Sequence, residues 1–90
     1  MPRRPVIAIV GDAGVTSGSA TYEAARDMGR TAVDHGYRIA TGGLSGVMEA
    51  ASRGAHESAS YREGDTVGVL PNEDPGAANA WVDIAIPTGM

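Results

Sequence analysis

Two glycine-rich segments carry the residues whose types and spacing could do chemistry. One is Thr41-Gly42-Gly43-Leu44-Ser45-Gly46-Val47-Met48-Glu49. Glycine withdraws the side chain that would block close approach. Where such a run leaves a strand and opens a helix, its amides gather at a positive helix end. The chemistry this suits is recognition of phosphate or another anion. A blander reading stands beside it: Gly42 and Gly43 only make a tight turn, and Glu49 sits favourably near helix-end amides. The other segment is Gly11-Asp12-Ala13-Gly14-Val15-Thr16-Ser17-Gly18. It follows the first apolar run, the usual phosphate position in doubly wound folds, and Thr16, Ser17 and Ser19 could add hydroxyl donors. For Ser19, helix N-capping is an equal alternative. Asp12, at a strand end, is the best single candidate for contact with a ligand hydroxyl.

The same residues exclude several chemistries. The first loop lacks G-x-G-x-x-G spacing, so it is not the dinucleotide fingerprint, and no Gly-Lys-Ser/Thr makes a Walker A loop. His35 falls beside Gly36 at a predicted helix end, where the helix dipole accounts for it. His56 ends the second predicted helix and is expected to face solvent. Neither has a Cys, Asp or Glu at ligand spacing, so no metal site is expected. Asp83 is expected in the last strand as a solvent-facing or edge residue. Trp81 is read as packing rather than base stacking, and no serine–histidine pair suggests a nucleophile triad.

Periodicity supplies the elements that would position the loops. Val6-Ile7-Ala8-Ile9-Val10 is a short β-branched run closed by Gly11 and reads as a strand buried on both faces. Tyr22, Ala25, Met28, Gly29, Ala32 and Val33 recur at helical spacing, with Gly36 where a C-cap belongs. Residues 37–41 form a second strand. Val47, Ala50, Ala51, Gly54 and Ala55 stripe a second helix, and residues so small are expected to bring it close against the sheet. Residues 57–65 read as a polar loop, 66–71 as a third strand, 72–80 as an irregular connection and 82–87 as a fourth strand. Strands alternating with helices across short glycine turns give an α/β fold with a parallel sheet. About four strands and two to three helices are expected, too few to cover both faces of that sheet, so the fold reads as truncated.

Ninety residues bound a single domain, spanning 1–90. The absence of cysteine rules out thiolate chemistry, disulfides and cysteine-ligated metal. A net charge of −4 argues against nucleic acid, which needs a basic stripe, although all seven basic residues are arginine. No apolar run is long enough to span a bilayer, and the run after Met1-Pro2-Arg3-Arg4-Pro5 is too short for a signal-peptide core, so a cytoplasmic location is expected.

Taken together, the run from Val6 to Gly11, the first glycine loop, Thr41 to Ala51, Gly54-Ala55, Thr66-Val67-Gly68-Val69-Leu70-Pro71, Asn79 and Ile86-Pro87-Thr88-Gly89-Met90 resemble one Rossmann-like superfamily. It contains the molybdenum cofactor carrier proteins and the Lonely Guy phosphoribohydrolases, and the likeness is closer to the carrier-like branch. The resemblance implies a three-layer Rossmann-like fold of which this chain is the N-terminal half. It implies that Gly11, Asp12, Gly14, Ser17, Gly42, Gly43, Gly46, Met48 and Glu49 line a cleft for a phosphorylated ligand, either an AMP-like nucleotide or the molybdenum cofactor. Asp12 departs from the family, which often has serine there. The phosphoribohydrolases take their catalytic arginine and glutamate from the second half, so no catalytic residue carries over. Binding without catalysis is therefore expected. The alternatives are a phosphoribohydrolase completed by that half, and a fragment without function. Relatives are commonly dimers or larger, which implies a homo-oligomer.

Overall fold

The computed structural model describes residues 4–89. Met1, Pro2 and Arg3, which entered the reading of the leader, and Met90, which closes the family-like segment, lie outside the described residues. In chain order the elements are β1 (Val6–Ala8), α1 (Ala20–Asp34), β2 (Arg38–Thr41), α2 (Val47–His56), β3 (Thr66–Leu70), a single 3-10 turn (Pro75–Ala77) and β4 (Ile84–Pro87). The strands form one parallel sheet in the order β1-β2-β3-β4. This is the α/β, Rossmann-like arrangement read from the sequence.

Local chemistry explains where the helices begin and end. Ser19 accepts a hydrogen bond from the Tyr22 amide through its hydroxyl at 3.1 Å, which starts α1. Gly36, at φ +87°, turns the chain out of α1 into β2. Along α1, Tyr22, Ala25, Gly29, Ala32 and Val33 are buried, and along α2 the buried set includes Val47, Ala50, Ala51, Gly54 and Ala55. The two helices touch almost backbone to backbone. A Cβ on Gly29 would lie 1.9 Å from the Ala51 carbonyl oxygen, and one on Gly54 would lie 1.7 Å from that of Arg26.

Both helices pack on the same face of the sheet, where they join Ile9 and Ile39 in one core. Register assigns Thr66, Gly68 and Leu70 to this face with Ile39 and Thr41. The opposite face carries Val6, Ala8, Arg38, Ala40, Val67, Val69, Ile84 and Ile86, and no described element covers it. The molecule is accordingly a slab, 33 × 33 × 17 Å, of one helix layer on one sheet.

That layering corrects two expectations. The first strand is not buried on both faces: Val6 is 56% exposed and Val10 86%. It is an edge strand with one neighbour and one uncovered face. Met28 shares the helical stripe, yet it is 57% exposed because it overhangs this open edge. The polar stretch before β3 also holds a buried charge. Asp65 is fully buried, lies 2.6 Å from the Arg4 guanidinium and accepts from the Arg62 amide at 2.9 Å.

Candidate ligand-binding site

In a parallel sheet all strand carboxyl ends meet at one edge, so the loops after β1 and β2 become neighbours there. Here they interlock. The Val47 amide donates to the Asp12 carbonyl at 3.0 Å, and the Ser45 hydroxyl donates to the Ala13 carbonyl at 2.9 Å. Gly46, at φ +69°, lies against this junction, and a Cβ there would stand 2.2 Å from the Asp12 carbonyl oxygen. Gly11 packs on Val47, with 2.6 Å to its nearest methyl from a built Cβ. Gly43, at φ +77°, receives its turn from Thr41, whose hydroxyl accepts from the Gly43 amide at 2.9 Å.

Asn79 closes the arrangement from the far side. Its carboxamide donates to the carbonyls of Leu44 at 2.8 Å and Gly43 at 3.2 Å, and its own amide donates to Gly43 at 2.8 Å. The second glycine loop is thus held from both sides. Asp12 directs its carboxylate to the Gly14 amide at 2.7 Å, so it shapes its own loop. Gly42 stands over the Met48 sulfur, 2.7 Å from a built Cβ.

The structure therefore brings Gly11, Asp12, Gly14, Gly42, Gly43, Gly46, Met48 and Glu49 to one edge, with Ser17 on the exposed first loop. Close packing accounts for these glycines: Gly46 against the first loop, Gly11 and Gly42 against Val47 and Met48 of α2, and Gly43 against Gly68 and Leu70 of β3. The groups left facing outward are different ones. The first turn of α2 has no side-chain cap. Its Val47 amide is taken by Asp12, and among the described residues no protein acceptor is found for the amides of Met48 and Glu49. Beside them, between the end of β1 and α1, lies an apolar recess of about 310 Å³, walled by Ile9, Val10, Gly11, Thr21, Met28 and Val47.

Two other polar residues stand elsewhere than expected. His56 does not face solvent: its Nε2 lies 2.8 Å from the Trp81 carbonyl and 3.2 Å from Asp83, and its ring stacks on Tyr61 at 4.1 Å. Asp83 precedes β4 and is neither solvent-facing nor in the strand. It accepts from the Tyr61 hydroxyl at 2.8 Å and from the Gly64 amide at 2.9 Å. Burial, reinforced by the Asp83 carboxylate, pushes the Tyr61 phenol well above the ordinary tyrosine range. This cluster sits at the amino edge of β3 and β4, opposite the glycine loops. His56 and Tyr61 lie five positions apart, but Asp83 follows only after β3, and no motif links the three. His35 keeps the expected role at the end of α1, with Nδ1 2.8 Å from the Thr31 carbonyl. Among the described residues no three His, Cys, Asp or Glu side chains come together.

Residues 4–90 match the model of the SLOG cluster4 family. The fold is similar to the molybdenum cofactor binding protein from the phototrophic bacterium Rippkaea orientalis, with 33% identity over 98% of this chain and 52% of that one, at a TM-score of 0.83. It is also similar to the molybdenum cofactor carrier protein of Chlamydomonas reinhardtii, with 34% identity over 98% of this chain and 52% of that one, at a TM-score of 0.76. The chain spans about half the length of these proteins. No curated protein sequence matches it.

Proposed function

The chain belongs to the SLOG cluster4 family, and from that premise we propose that it binds a phosphorylated small molecule at the carboxyl edge of its sheet without transforming it. The ligand class is a nucleoside monophosphate or the molybdenum cofactor, the cargo of the similar carrier protein. The observation that carries the reading is the first turn of α2. The Met48 and Glu49 amides point from an uncapped helix start, between two glycine loops and beside an apolar recess. Phosphate would take those amides, with the exposed first loop from Gly11 and Asp12 through Gly14 to Ser17 folding around it. A flat purine or pterin ring fits the apolar recess, and the second loop's Gly42, Gly43 and Gly46 set the spacing between loop and helix. The groups gathered at this edge are amides, hydroxyls and the carboxylates of Asp12 and Glu49. They suit holding a ligand better than cleaving one.

Thermal unfolding in the presence of AMP, adenosine and inorganic phosphate tests this reading. A ligand that prefers the native state stabilises it by about 2.7 kcal/mol at a hundred times its dissociation constant. AMP should raise the midpoint, adenosine should do so much less, and phosphate should compete with AMP. An unfolding curve blind to all three overturns the reading.

A further inference from the structure

The two backbone groups of Trp81 are taken by different parts of the molecule. Its carbonyl accepts from His56 Nε2 at 2.8 Å and from the Thr66 hydroxyl at 2.6 Å, at the amino edge of the sheet. Its amide donates to the Asn79 carboxamide oxygen at 3.0 Å. The nitrogen of that carboxamide donates in turn to the Leu44 carbonyl at 2.8 Å, in the second glycine loop. Hydrogen bonds therefore run from residue to residue between His56, in the last turn of α2, and Leu44, just ahead of its first turn. A ten-residue helix is about 15 Å long. Segment 79–83 spans that length as a strut, and Val82 anchors its middle on Gly68, 3.1 Å from a built Cβ.

Among the residues of this path only His56 is of a type that changes charge between pH 5 and 8. A carbonyl and a carboxylate face its Nε2, at 2.8 and 3.2 Å, and both only accept, so that nitrogen holds a proton. A charged ring makes a hydrogen bond roughly twice as strong as a neutral one and pairs with Asp83 as an ion. An uncharged ring keeps the donor and loses that attraction. Asp83 is itself held in place by the Tyr61 hydroxyl and the Gly64 amide. The other charged or titratable groups about the ring are few. Tyr61 stacks on it from the loop after α2, where Glu63 and Asp65 act on the phenol. Arg53, one turn earlier on α2, lies 5.9 Å from the centre of the Trp81 ring, and Glu57 is turned to Arg26.

We infer that His56 is a positioning residue for the second glycine loop, acting through Trp81 and Asn79, and that its protonation tightens the loop. The charged ring draws the Trp81 carbonyl to the end of α2. The Trp81 amide then fixes the Asn79 carboxamide, whose nitrogen fixes the Leu44 carbonyl. Gly43 follows, because its carbonyl takes the Asn79 backbone amide at 2.8 Å. The consequence for a ligand rests on the phosphate-binding reading above. The Met48 and Glu49 amides lie directly beyond this loop, so AMP binds more tightly when His56 is charged. By linkage, AMP binding favours the charged ring to the same extent.

The parent chain is compared with His56→Gln, whose amide still donates to the Trp81 carbonyl but carries no charge, from about pH 5.5 to about pH 8. Trp81 is the chain's only tryptophan and lies edge-on to the His56 ring at 5.5 Å, so its fluorescence follows the charging of that ring. Without ligand, the protection of the Asn79 amide against hydrogen exchange should fall about fivefold across this range in the parent, with the midpoint of the Trp81 signal. It should stay level in His56→Gln. Asp83→Asn, which removes the carboxylate and keeps its shape, should level the profile too. The AMP dissociation constant should rise by a similar factor in the parent relative to His56→Gln, a ratio in which the titration of the phosphate itself cancels. Equal pH dependence of the Asn79 amide in parent and His56→Gln overturns the inference. So does a change shared equally by the amides of α1, which marks a merely structural role, and so does AMP binding with the same ratio at both ends of the range. If the Asn79 amide responds and AMP binds neither protein at any pH, the positioning of the loop stands and the phosphate-binding reading falls.

Discussion

Asn79 is the residue on which the second glycine loop hangs, through two carboxamide donors aimed at the Gly43 and Leu44 carbonyls. Asn79→Asp keeps the shape and turns both donors into a carboxylate that faces those carbonyls. The Gly43 carbonyl keeps the Asn79 backbone amide, so the Leu44 carbonyl is the acceptor left unmatched, at a cost of about 1–3 kcal/mol. Urea unfolding should show a loss in that range, and AMP should lose its stabilising effect because the loop no longer holds its position. Tyr61 makes a prediction of opposite kind. Its folded pKa is raised by burial and by Asp83, so its contribution is complete below the unfolded pKa of about 10 and is lost as pH climbs above it. Tyr61→Phe should therefore melt lower than the parent at pH 8. The gap should narrow steadily from pH 10 upward. A gap that stays constant through pH 11 would show that the hydroxyl's proton plays no part.

At the scale of elements, the crossing of α1 on α2 depends on two hydrogen atoms where other residues have a methyl. Alanine is the better helix former by about 1 kcal/mol, so Gly54→Ala would stabilise an isolated helix. In the folded chain its Cβ would stand 1.7 Å from the Arg26 carbonyl oxygen, which is backbone and cannot rotate away. The helices must separate, and overpacking of this kind costs about 1–3 kcal/mol or more. Denaturant titration should show Gly54→Ala clearly destabilised, and Gly29→Ala likewise, against the local preference. The order of elements and the glycine loops were legible because each strand ends in glycine or proline and each helix shows its apolar stripe. Two things were not legible. Nothing local in Val6 to Val10 tells a doubly buried strand from an edge strand, because that depends on what stands beside it. Asp83 joins His56 and Tyr61 only through the pairing of β4 with β3, and a residue that lies a strand and a loop beyond the other two leaves no periodic trace.

For the whole molecule, the division between its two sheet faces matters more than any single contact. One face has a complete core, in which Ile39, Ala50, Ala51 and Ala55 are fully buried. The other offers valine and isoleucine to water from β1, β3 and β4, with Arg38 and Ala40 of β2 between them. Contiguous apolar surface of that kind drives association, and net charge is what opposes it. The chain's charge of −4 vanishes near pH 4.9, so self-association of the unpartnered chain should peak there. Val69→Glu interrupts the patch at its centre. Because Val69 is already 44% exposed, folding should change by no more than about 0.5 kcal/mol. Light scattering between pH 4 and 8 should show the parent's maximum near its isoelectric point and a much smaller one for the variant. Equal scattering from both would place the sticky surface elsewhere, and the groove beneath Met28 would be the next to charge.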